Sequence, residues 1–83
     1  MDFNEIYATS FRNRLSLKES KKCGCFSCGN IFDASKVKEY ESETDNRDKD
    51  TGICPICKNP TLIPDSKVKL DPKVLDILND TFN

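Results

Sequence analysis

Two cysteine pairs with the same internal spacing, Cys25-Phe26-Ser27-Cys28 and Cys54-Pro55-Ile56-Cys57, stand in a chain of 83 residues that has no histidine and is 36% apolar. Together these observations predict a small α+β fold of the zinc-ribbon-like (rubredoxin-like) kind. It would consist of two Cys-x-x-Cys knuckles, a short β-hairpin and flanking N-terminal, central and C-terminal helices. Two thiolates separated by two residues turn back onto one ion, and two such hooks supply the four ligands that a tetrahedral Zn²⁺ accepts. A chain this short buries too little surface to be stable without a staple, and the metal is that staple. The expected ligands are Cys25, Cys28, Cys54 and Cys57 around one structural Zn²⁺. Iron is the alternative ion, because four thiolates also hold a single iron.

The residues around each hook suit the turn. Gly29 follows the first hook, where a metal-binding turn calls for positive φ. Pro55, inside the second, fixes φ and removes an amide the turn does not need. A disulfide framework is disfavoured because the chain opens Met1-Asp2-Phe3-Asn4-Glu5 rather than with an apolar leader, which argues for a cytoplasmic location. A redox dithiol would call for a βαβ pattern that is missing. The fifth cysteine, Cys23, lies two residues before the first ligand. Its expected role is packing, with ligand exchange or a reactive thiol promoted by Lys21 and Lys22 as the alternative.

Charge narrows the function classes. The formal charge is −1, and four thiolates with one divalent cation lower it to −3, so general attraction to a polyanion is not expected. No apolar run reaches membrane length.

Taken in order, residues 1–19 read as one amphipathic helix, capped by Asp2 with Glu5 three residues on, and residues 20–83 as the zinc-ribbon-like domain with its C-terminal helix, a single domain overall. Phe3, Ile6, Tyr7, Phe11 and Leu15 share one face of the first helix, while Arg12, Arg14 and Lys18 lie toward a solvated face. Asn30-Ile31-Phe32 reads as extended. Asp33 then caps a short helix from Ala34 to Tyr40, with Val37 and Tyr40 inward, as a lid on the metal knuckle. Residues 41–52 read as a solvated loop; they lack the ligand order of a calcium loop. Gly52-Ile53 and Thr61-Leu62-Ile63 are expected to pair as a hairpin with the second knuckle at its tip, Pro60 and Pro64 bracketing the outgoing strand. Lys58, like Lys21 and Lys22, sets a cation beside the thiolates. Asp71 caps a C-terminal helix with Pro72 first, and Val74, Leu75, Leu78 and Phe82 are spaced for burial, with Ile77 widening that face.

The run Cys23-Gly24-Cys25-Phe26-Ser27-Cys28, the Ile31-Phe32 pair and Gly52-Ile53-Cys54-Pro55-Ile56-Cys57 resemble a group of small, uncharacterised bacterial cytoplasmic proteins with a CGCFxC…CPxC zinc-ribbon-like motif. The likeness spans about residues 12 to 82 and includes Arg14, which corresponds to an Asn-Arg pair ahead of the first knuckle. Tyr40 stands where that group has Trp, Lys58 where it has Gly, and the 41–52 loop looks longer. The resemblance implies a zinc-ribbon-like fold in a bacterial or phage-encoded cytoplasmic protein and brings no activity with it.

No enzyme is expected. Without histidine there is no His-dependent triad, and four thiolates leave a zinc ion no open position. The favoured function is a protein-interaction module, contacting another protein or a second copy through the N-terminal helix with Tyr40 or Phe82, and with no small-molecule substrate. The alternative is a nucleic-acid-binding ribbon using Lys18, Lys21, Lys22, Lys36, Lys38 and Lys58, with a base stacked on Phe26 or Phe32.

Overall fold

The computed structural model describes residues 2–42 and 50–82. Two short helices, α1 (Phe3–Ala8) and α2 (Arg14–Glu19), precede β1 (Lys22–Cys25) and β2 (Ile31–Asp33). A 3₁₀ turn (Ala34–Lys36), β3 (Glu39–Glu41), β4 (Thr51–Ile53), β5 (Leu62–Pro64) and α3 (Pro72–Phe82) follow. One antiparallel sheet has the order β2-β1-β5, and β3 pairs with β4 in a second.

Strand pleat divides the core into two layers. On one side of β1, Cys23 and Cys25 meet Leu62, Leu17, Ala34, Val37 and Cys54. On the other, Ile63 joins Ile6, Phe26, Val68, Leu75 and Leu78. Leu62 and Ile63 are adjacent in β5 and point to opposite layers, as a period of two requires. Gly24 lies between the two cysteines of β1 and lets α3 approach: a Cβ there would stand 3.0 Å from Leu75 Cδ1.

Helix α1 starts where its cap predicts, with Asp2 accepting the Glu5 N–H at 2.9 Å. Residues 1–19 are nevertheless not one helix. Thr9 Oγ1 and Ser10 Oγ bond back to the carbonyls of Ile6 and Tyr7, hydroxyls competing for the backbone as they do at helix ends. Arg12 then takes a positive φ of 50°, and its N–H donates to Thr51 Oγ1 at 2.9 Å. The break splits the apolar stripe. Ile6 is buried, whereas Phe3, Phe11 and Leu15 are 39%, 44% and 49% exposed. Tyr7 stacks on Phe82, centroids 4.0 Å apart and rings parallel to within 1°.

Four further expectations are corrected. The Ala34–Tyr40 helix is a single 3₁₀ turn followed by β3; Asp33 makes no cap bond and instead takes the Lys22 ammonium at 2.6 Å. Val37 is buried as expected. The two arms of the second knuckle do not pair with each other, since β4 pairs with β3 and β5 with β1. Arg14 is not on a solvated face: its guanidinium lies 4.4 Å from the Tyr40 ring centroid and 3.0 Å from the buried Asp50 carboxylate. Asp50, Thr51 and Gly52 are accordingly buried rather than part of a solvated loop. The rest of that loop, residues 43–49, lies outside the described residues.

Helix α3 starts at Pro72, and Asp71 Oδ1 accepts the Lys73 N–H at 2.8 Å. Leu75 and Leu78 are buried, but Ile77 is 40% exposed and does not widen the face. Among the described residues no helix is long and apolar enough to cross a membrane.

Candidate metal centre

Each knuckle is a local structure before it is a metal site. In the first, the Gly29 N–H donates to Cys25 O at 2.8 Å and the Cys25 N–H donates to Asn30 O at 2.9 Å. In the second, the Lys58 N–H donates to Cys54 O at 2.9 Å and the Cys54 N–H to Asn59 O at 3.0 Å. The offsets are identical. Both turns also place the residue after the second cysteine in the left-handed region, Gly29 at φ 78° and Lys58 at φ 64°. A glycine takes that conformation freely; a lysine does so at a cost of roughly 1 kcal/mol. Lys58 therefore occupies a strained position, and its ammonium reaches Glu39 at 3.2 Å.

The two turns bring Cys25, Cys28, Cys54 and Cys57 together with all four Sγ atoms within 4.8 Å of one another. The Cys25–Cys57 and Cys28–Cys54 separations are 3.5 and 3.8 Å. A tetrahedron with metal–sulfur bonds of about 2.3 Å has edges of about 3.8 Å. The donor set and its spacing thus fit a single metal ion. All five cysteines are free thiols. Cys25 and Cys54 are fully buried, while Cys28 and Cys57 are partly exposed, so the cluster has a protected side and an open one.

Polar groups are aimed at the sulfurs. The Cys28 N–H lies 3.5 Å from Cys25 Sγ and the Ile56 N–H 3.4 Å from Cys54 Sγ. The Asn30 side-chain amide donates to Cys28 Sγ at 3.3 Å, and Thr61 Oγ1 stands 2.9 Å from Cys25 Sγ. Such donors stabilise thiolates and orient metal ligands. Burial pushes the Cys25 and Cys54 thiols up. At Cys57 burial acts in the same direction, but the Asn59 backbone hydrogen bond and the neighbouring cysteines outweigh it and bring the thiol down to about 7.

Cys23 is fully buried and outside the cluster. Burial, with the charges of Cys54 and Asp65 behind it, pushes its thiol up to about 12, so the packing role fits and a low-pKa thiol does not. Asn30, Asn59 and Thr61 support the site through the knuckle turns and the sulfurs, and none of them is among the expected site residues. The repeat of Asn two residues after each hook, Asn30 and Asn59, is a sequence signal that marks two of them.

Of the aromatic residues expected to meet a base, Phe26 is buried beside Tyr7 and Phe32 is half-buried against the cysteine layer. Comparison of the chain with protein-family models, with curated proteins and with solved structures returns no match.

Proposed function

We propose that the chain is a small structural-zinc protein of zinc-ribbon-like fold that acts as a protein-interaction module in the cytoplasm. The observation behind this reading is the four-sulfur cluster built on two matched knuckles: four thiolates fill the coordination sphere and leave no position for water or substrate. The role is therefore structural rather than catalytic. Packed on the first knuckle and α3 through Tyr7, the N-terminal segment carries Phe3, Phe11 and Leu15, each more than a third exposed. Aromatic and aliphatic side chains presented by a rigid frame are suited to anchoring a partner protein. Tyr40 and Phe82 are less available than the sequence suggests, being engaged by Arg14 and Tyr7.

The nucleic-acid alternative has less to draw on, since Lys22 and Lys58 face Asp33 and Glu39. The test is affinity purification from the native host with the wild-type chain and with a Phe11→Ser/Leu15→Ser variant. A protein partner lost in the variant, with metal content unchanged, is the expected result. Recovery of nucleic acid alone, or a partner retained by the variant, would count against the reading.

A further inference from the structure

One face of the β2-β1-β5 sheet is covered by α3 over Gly24. Beside that helix it opens into a cleft of about 610 Å³, lined by Lys22, Ile31, Asp65 and the run from Ser66 to Leu70. Ile31, one of the residues lining it, is 40% exposed. The carboxylate of the cleft is already engaged, because Asp65 accepts the N–H groups of Lys21 and Lys22 at 3.1 and 2.9 Å. Lys67 and Lys69 are exposed and make no ion pair among the described residues. Asp65 keeps its charge and Lys22 is paired with Asp33, but Lys67 and Lys69 together outnumber Asp65, so a chain of net negative charge leaves a surplus of ammonium charge around an exposed isoleucine.

The adjoining strand is open as well. β2 is an outer strand of its sheet. Phe32 lies opposite Cys23, and the bonds from Cys25 N–H to Asn30 O and from Ala34 N–H to Lys21 O flank that pair. By antiparallel alternation, the peptide groups of Ile31 and Asp33 point away from β1. An extended segment laid along such an edge gains main-chain hydrogen bonds, and side-chain pockets beside it give specificity.

We propose that the β2 edge and the Lys67–Lys69 cleft form a docking site for an extended acidic peptide of a partner protein, with carboxylates facing the lysines and an aliphatic residue on Ile31. Charge complementarity sets the sign of the partner, and the open edge sets its conformation. The proposal rests on the protein-interaction reading above and adds a surface distinct from Phe11 and Leu15.

The test is an NMR titration of ¹⁵N-labelled, metal-loaded protein with a capped peptide alternating Glu and Val. Shifts confined to Ile31–Asp33 and Lys67–Lys69 are expected. Raising the salt should weaken binding, and a Lys67→Glu/Lys69→Glu variant should bind about tenfold more weakly; both changed residues are exposed, so fold and metal content should be retained. A peptide alternating Lys and Val should not bind. Absence of those shifts, equal binding by the variant, or stronger shifts of the same amides with oligo-dT would overturn the proposal. Failure here with partner capture still dependent on Phe11 and Leu15 would remove this cleft alone and leave the broader reading standing.

Discussion

The side-chain amide of Asn13 stands where a hairpin hydrogen bond would otherwise be: its Oδ1 accepts the Gly52 N–H at 2.9 Å, and its Nδ2 donates to Leu62 O, also at 2.9 Å. Gly52 and Leu62 flank the second knuckle and belong to different sheets. Asn13, 2% exposed, therefore joins the two sheets as an inserted peptide group would, and the entry and exit strands of the knuckle are held apart at a fixed distance.

Replacing Asn13 by Ala should destabilise the metal-loaded protein by about 2–3 kcal/mol, because a buried N–H and a buried C=O both lose their partner. Denaturant unfolding measures this. A loss below about 0.5 kcal/mol would mean that the bridge is not a structural joint.

Lys58→Gly should raise stability by up to about 1 kcal/mol, since glycine adopts the left-handed backbone without the penalty that Lys58 carries. The lost contact to Glu39 joins two exposed groups and offsets little. Thermal unfolding of the loaded variant should show a higher midpoint; a lower one would place the value of Lys58 in its side chain.

How much of this was legible in the sequence follows from which forces are local. A hook such as Cys25-Phe26-Ser27-Cys28 encodes its own turn, so the sulfur cluster can be read from spacing, and Gly29 from the φ it must adopt. The Asp71-Pro72 start of α3 is equally local. The break after α1 is less so. Thr9 and Ser10 mark it locally through their hydroxyls, but the apolar period runs on from Ile6 and Tyr7 to Phe11, and the contacts that hold Arg12 and Asn13 outside a helix come from the distant Thr51 and Gly52. The expected hairpin failed for the same reason: each arm reads as a strand, but the pairing was decided by Cys23-Gly24-Cys25 competing for β5 and by Asn13 standing between the arms. Arg14 looked solvated because Asp50, its partner, lies 36 positions away.

Thr61→Val should lower metal affinity roughly tenfold by removing the hydroxyl beside Cys25 Sγ while keeping the side-chain shape. Competition with a chromophoric chelator reads the change. Unaltered affinity would show that the hydroxyl only fills space.

Cys23 supplies a pH signature. Its folded value of about 12 lies above the ordinary 9.0, so the folded chain holds that proton more tightly than the unfolded chain. The stability this contributes is complete below pH 9 and fades as pH rises from 9 toward 12. Unfolding free energy should fall over that window, with a shallower fall in Cys23→Ala. Native alkylation at pH 8 should also spare Cys23. Early modification of Cys23, read by mass spectrometry, would contradict its buried placement.

X-ray absorption at the zinc edge, on protein purified without added metal, probes the cluster most directly. One zinc per chain with a shell of four sulfurs at about 2.3 Å is expected from Cys25, Cys28, Cys54 and Cys57. Absence of zinc, or a shell in which oxygen or nitrogen replaces sulfur, would contradict a metal centre built from these two knuckles.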